Sequence, residues 1–347
     1  MKHLRLVLLI LLFVVSISIL CLRYTKISKA NMQLHSIKFN HEVKTQKKKG
    51  RVWRELKLGD SITSFKFWGG VRIDVNNNVY CWDYDYKLSK FSPTGELLVK
   101  IGEGKGKGPG EFTLPMDMDI DKSGRVWIYD AGLGLIQIFD RNGRLYKLLR
   151  IQSMASKLRV LDGGRFVILK AVPFDCFFEL YDTNGVLIRK FGCDLIDQQS
   201  RFPIAFTGDI EVYNGNLFLT FHYFGFLICY DVYNFNLKYV IETLDKNVFP
   251  RVFTFGKGRE GGMKIAEDSD IASFDVRVFD GKILIRSGSG LKRRETVMDF
   301  YSAQDGEYLF SYRIQKHGFI YRDFFYEIRD TIIVKWRFYD GGQFKNK

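Results

Sequence analysis

Proline is scarce in this chain, with 6 in 347 residues, so a long proline-rich disordered segment is excluded. Histidine is equally sparse. His3, His35, His41, His222 and His317 are scattered with no metal-ligand spacing. No Gly-Lys-Ser/Thr sequence is present, which removes a P-loop. No nucleophile elbow or Ser/His/Asp grouping stands out either. Acidic residues are nearly missing from the first 51 positions, where Glu42 is the one acid against 11 Lys/Arg. The remainder carries 42 basic and 38 acidic residues, so the overall +14 is mostly a property of the N-terminus. A nucleic-acid partner is therefore not expected.

Aromatic residues are abundant at 16%, including 31 Phe and 18 Tyr, as suits sheets packed on both faces. Leu6 to Leu22 is apolar except for Ser16 and Ser18 and comes after Lys2 and Arg5. Seventeen helical residues span roughly 25 Å, close to the lower limit for crossing a bilayer. The expected organisation is a signal-anchor or transmembrane segment over 1–24, a basic linker over 25–50 and a folded domain over 51–347. Basic residues flank both sides of the apolar run, and a lone N-terminal span with a basic start favours export of the remaining chain. The expected location is a single-pass cell-membrane protein with an extracytoplasmic domain. A cleaved signal and lipidation at Cys21 are the alternatives. With Cys21 set aside, four cysteines allow three pairings. Cys81 and Cys229 sit within strand-like runs and read as buried thiols, and Cys176–Cys193 is the pair to test if the domain is exported.

Residues 101–143 show the unit from which the chain is built. A glycine-rich loop, Gly102 to Gly110, precedes a short alternating strand ending near Asp121. Next come a turn at Lys122-Ser-Gly124, a strand at Val126 to Asp130 and another at Ile136 to Phe139, with a turn reaching Gly143. Similar units begin near Val71, Leu158, Ile210, Val276 and Phe325. The first five show four short strands; the sixth shows two before the chain stops. Four-stranded antiparallel units repeated six times describe an all-β, six-bladed β-propeller. Its incomplete last blade needs outer strands from elsewhere, and Arg51 to Leu58 or Ser36 to Val43 are free to supply them.

Gly102-Glu-Gly-Lys-Gly-Lys-Gly-Pro-Gly-Glu-Phe112, with Pro115, Asp121, Gly124, Val126, Asp130, Gln137 to Phe139 and Gly143, resembles an NHL repeat. The whole chain is similar to bacterial six-bladed NHL-type propellers with an N-terminal signal or anchor. The match is good over 101–143, fair over 71–100 and degenerate from about 158 onward. That resemblance implies a six-bladed fold used chiefly for binding, without naming a ligand.

The polar residue flanked by apolar positions in each first strand gives Arg72, Asp119, Arg159, Glu211, Arg277 and Glu327. Their signs alternate, which closes around a ring without a clash only when the blade number is even. First strands are innermost in a propeller, so a charged ring around the channel is expected. It would serve as a paired collar or as a lining that contacts a polar ligand. A one-residue slip would turn the side chains to the other face, and the turn after the strand shortens in the last three units. Lys105 and Lys107 in the first glycine-rich loop, and Lys257 and Arg259 in a second at 256–262, are further candidates for ligand contact. Neither loop precedes the helix that a dinucleotide fingerprint requires. Asp117, Asp119 and Asp121 alternate and suggest a calcium site, but three arginines in the ring disfavour a cation; no cofactor is expected.

The functional expectation is a membrane-anchored binding or scaffold module for a protein, peptide or glycan on its loop face. The long inserts 192–209 and 242–275 are the expected contact regions. The alternative is a metal-dependent propeller hydrolase or lyase, lactonase- or esterase-like, acting at the channel.

Overall fold

The computed structural model describes residues 39–46, 50–66, 69–173, 175–193, 195–196, 203–247, 249–255 and 262–340. The apolar run at 6–22, Lys257 and Arg259 lie outside the described residues. Among those described, no helix is long and apolar enough to cross a membrane.

Local turn chemistry sets the strand spacing. The Asp121 carboxylate accepts hydrogen bonds from the amides of Ser123 (2.9 Å) and Arg125 (3.0 Å), closing the hairpin between two strands. Gly124 sits in this turn at φ 79°, a left-handed position where a Cβ would strain the backbone. Asp74, Asp140 and Asp182 close equivalent turns with the same pair of amide bonds.

Six antiparallel sheets result. Blade 1 comprises Gly69–Ile73, Val79–Trp82, Leu88–Phe91 and Leu97–Ile101. Blade 2 comprises Pro115–Ile120, Val126–Asp130, Leu135–Phe139 and Leu145–Arg150. Blade 3 comprises Ala155–Val160, Phe166–Lys170, Phe178–Tyr181 and Leu187–Phe191. Blade 4 comprises Gly208–Tyr213, Asn216–Phe221, Phe224–Asp231 and Leu237–Asn247; blade 5 comprises Ser273–Phe279, Lys282–Ser287, Thr296–Ser302 and Tyr308–Ile314. Blade 6 takes Gly318–Tyr321, Phe324–Arg329 and Ile332–Asp340 from the C-terminal end and its outer strand, Leu56–Lys66, from the N-terminal end.

Closure by an N-terminal strand is thus present, with the strand at Leu56–Lys66 rather than 51–58. The preceding chain runs along the outer edges of two other blades. Val43–Thr45, within the region read as linker, pairs in parallel with Leu237–Asn247 of blade 4, and Trp53–Arg54 pairs in parallel with Tyr308–Ile314 of blade 5.

A separate apolar cluster fills each interface between adjacent blades. The 3/4 interface holds Phe177, Phe178, Phe206, Phe221 and Phe224, all fully buried. The 6/1 interface, where the ring closes, holds Phe65, Phe319, Tyr326 and Ile333 against Val79 and Cys81. Continuous burial around the ring leaves no blade free to move alone. Cys176 and Cys193 form a disulfide, and Cys81 and Cys229 are buried thiols. Burial pushes both free thiols up to about 12.

Candidate functional site: a charged floor beneath an open cavity

The innermost strands bring five of the six expected ring residues together: Arg72, Asp119, Arg159, Glu211 and Arg277. Glu327 is not among them. It lies on the second strand of blade 6, opposite Val334, and is held by Lys316, Arg329 and the Trp336 indole. The first strand of that blade is the four-residue Gly318–Tyr321, and Phe319 occupies the position that matches Arg72. A strand this short and wholly uncharged offers no alternation from which its face could be read.

Pairing within the ring crosses the channel as well as tracking around it. Arg72 of blade 1 meets Glu211 of blade 4, on the opposite side, at 3.2 Å. Arg159 and Arg277 approach the same Glu211 oxygen at 3.7 and 3.6 Å. A second tier lies two residues earlier on the strands. Asp117 accepts from Arg159 at 2.8 Å and faces Arg72 at 3.6 Å. Asp209 meets Arg159 at 3.3 Å, Lys157 at 3.4 Å and Arg277 at 3.5 Å. Asp209 and Lys157 were not among the sequence candidates. Their signal was present, because charges at i and i+2 of a strand share a face.

These side chains also satisfy the strand edges that face the channel. The Leu158 and Val160 amides donate to Asp117 (2.9 Å) and Asp119 (2.7 Å), and the Val276 amide donates to Asp209 (3.4 Å). The Arg72 guanidinium donates to the Met118 carbonyl at 2.9 Å, and Arg277 to that of Val276 at 3.1 Å. A propeller's inner strands have no neighbour on the channel side, so alternating acceptors and donors substitute for the missing ladder.

Electrostatics differ among the carboxylates. Burial opposes ionisation of Asp117 and Asp209, but the arginines and Lys157 outweigh it and hold both below the usual range. At Asp119 burial outweighs Arg159 and Arg72 and pushes the carboxyl up to about 6. The calcium candidates Asp117, Asp119 and Asp121 do not converge. Asp117 is committed to arginines, Asp119 to an amide, and Asp121 to its own turn, Arg125 and the Trp127 indole. Among the described residues no three acidic, His or Cys groups are placed to share a metal ion.

The ring is the floor of a cavity of about 1560 Å³. Its walls are the ends of the first strands and the turns that connect them to the second strands, so it opens on one face of the ring. The connections between blades emerge on the other face. There the glycine-rich loop is tied down: Gly104–Lys105 pairs with Glu111–Phe112, and Gln137 bonds both the Gly110 amide (2.9 Å) and the Glu111 carbonyl (2.6 Å). Lys105 and Lys107 are exposed on that loop, with the Lys105 ammonium 5.4 Å from the Tyr86 ring. The described parts of the inserts 192–209 and 242–275 also fall between consecutive blades on that face. The five ring residues and the loop residues Lys105 and Lys107 therefore belong to opposite faces.

These features define a six-bladed β-propeller whose plugged channel forms the floor of an open cavity. No protein-family profile matches the chain, and no curated protein matches it in sequence. Solved structures share the fold. A Bacteroides fragilis protein assigned as exported is similar at a TM-score of 0.53 and 11% identity, over 82% of this chain and 95% of that one. A DUF4221-family member from Bacteroides vulgatus gives 0.53 and 10%, over 82% and 98%. Streptogramin B lyase gives 0.50 and 9%, over 82% and 98%. At such identities the shared property is the fold alone.

Proposed function

We propose that this protein is an NHL-type binding propeller, attached to the cell membrane by residues 1–24 and displayed outside the cytoplasm. Its ligand, from a protein, peptide or glycan partner, sits in the cavity above the charged floor. One observation carries the reading: a rigid ring holds a cavity of about 1560 Å³, beyond the usual size for a single small molecule, with unpaired polar side chains on its wall. Residues 101–143 support the NHL assignment by their match to the repeat. The Cys176–Cys193 disulfide supports an oxidising compartment, and the exported fold neighbour agrees with it. The reading uses no cofactor. The hydrolase or lyase alternative has less support, since among the described residues the channel carboxylates Asp117, Asp209 and Asp119 are engaged by arginines and amides.

Screening the full-length chain against immobilised peptides and glycans tests the proposal, with substitution of two residues that line the cavity, Tyr233→Ala/Arg141→Glu, as the cavity variant and Lys105→Glu/Lys107→Glu as the opposite-face variant. Ligands retained by the second variant and lost by the first support the cavity. The reverse pattern would move the site to the inter-blade loops.

A further inference from the structure

The cavity has two unlike halves. In blades 4, 5 and 6 the first strand ends in an aromatic residue: Tyr213, Phe279 and Tyr321. All three line the cavity from successive blades, and the Phe279 and Tyr321 rings meet edge to face with centroids 6.0 Å apart. At the same register, two residues beyond the ring, blades 1, 2 and 3 carry Asp74, Asp121 and Leu161; both carboxylates are held by their own turns, Asp162 is paired with Lys122 at 2.6 Å, and the rest of that wall is rich in cations. Lys90, Arg125, Arg141 and Arg165 all line it. Arg125 is paired with Asp121 at 2.7 Å, whereas the guanidinium groups of Arg141 and Arg165 make no ion pair or hydrogen bond among the described residues.

We infer that the cavity takes an acidic oligosaccharide, with sugar-ring faces laid on the aromatic arc of Tyr213, Phe279 and Tyr321 and carboxylates held by Arg141 and Arg165 on the facing wall. This rests on the binding reading above. The C–H face of a sugar ring is apolar and complements the face of an aromatic ring, while its hydroxyls suit planar polar groups such as Asn76 and Asn214, which line the cavity from blades 1 and 4. Arginine matches a carboxylate with two parallel hydrogen bonds. A peptide adding as a strand would need a free edge, and the edges facing the channel are already met by Asp117, Asp119, Asp209 and the arginines.

Calorimetric titration of the full-length chain in detergent tests this with three probes: tetragalacturonate, its fully methyl-esterified form and tetraglutamate. Tetragalacturonate is expected to bind. Esterification, which keeps the rings and removes the charge, is expected to weaken binding by about tenfold or more, and tetraglutamate is expected not to bind. Arg141→Glu/Arg165→Glu and Tyr321→Ala should each lower tetragalacturonate affinity by about tenfold, with unchanged thermal unfolding showing that the fold is intact. Equal binding of the ester, preference for tetraglutamate, or no binding of tetragalacturonate would overturn the acidic-sugar assignment. In the last two cases a ligand lost by the cavity variant of the array screen would leave the binding reading standing. Tetragalacturonate binding that ignores all three substitutions would overturn both.

Discussion

The Arg72 guanidinium reaches across the channel to Glu211, Nη1 to Oε2 at 3.2 Å, joining blade 1 to blade 4. Because Arg159 and Arg277 share the same carboxylate oxygen, one acid anchors three arginines drawn from three blades. The channel is therefore plugged by a network, and the cavity has a floor.

Removing that charge leaves three crowded cations. Glu211→Gln is expected to destabilise the fold by about 3 kcal/mol, at the low end for a broken buried pair because Glu211 also borders the cavity. Urea unfolding measures it, and a shift below about 0.5 kcal/mol would mean the arginines are adequately held by Asp117 and Asp209 alone.

Asp119 gives stability a pH dependence opposite in sign to that of Asp117 and Asp209. Its folded value, about 6, lies above the ordinary 3.8, so the folded state keeps a proton that the unfolded chain has released. Its contribution is full below pH 3.8 and is lost as pH rises through about 6. The other two carboxyls are depressed, so their contribution is present above 3.8 and is lost as pH falls through their folded values. Asp119→Asn should therefore gain on the wild type as pH rises from about 4 to about 7. Parallel unfolding curves for the two proteins across that range would contradict it.

The N-terminal strap is fastened by Arg51. Its guanidinium bonds both oxygens of fully buried Asp299, at 2.8 and 2.7 Å, and Asp245 at 2.8 Å. Arg51→Ala strands a buried carboxylate and should cost about 3–5 kcal/mol. Truncation through residue 66 removes the outer strand of blade 6 and is expected to abolish cooperative unfolding, whereas truncation before residue 51 keeps it. Calorimetric melts of the variant and both truncations check this.

The Cys176–Cys193 bond closes a loop with a sequence separation of 17, for which constraint of the unfolded chain contributes about 3 kcal/mol. Cys176→Ser/Cys193→Ser, or wild type in reductant, should melt several degrees lower. Identical melts with and without reductant would show that the loop is held by its packing alone.

Much of the architecture was legible because its determinants are local. Alternation of period two, Asp-x-x-Gly turns and buried aromatic runs recur unit by unit, so six units and five of the six ring positions could be counted from the chain. The cysteine pair stood out because Cys81 and Cys229 lie in buried strands. What failed was non-local. Phe319, rather than Glu327, completes the ring because a four-residue uncharged strand carries no pattern of its own. The sharing of Glu211 across the channel and the burial that lifts Asp119 depend on distances set by closure of the whole ring. Which face carries the cavity is set by the direction in which every blade is threaded. The sequence alone determined the number of units, the strand faces within most of them and the charges available to the channel. Only the tertiary structure decided which charges meet, because strand partners and opposite blades come together through closure, a constraint no single segment encodes.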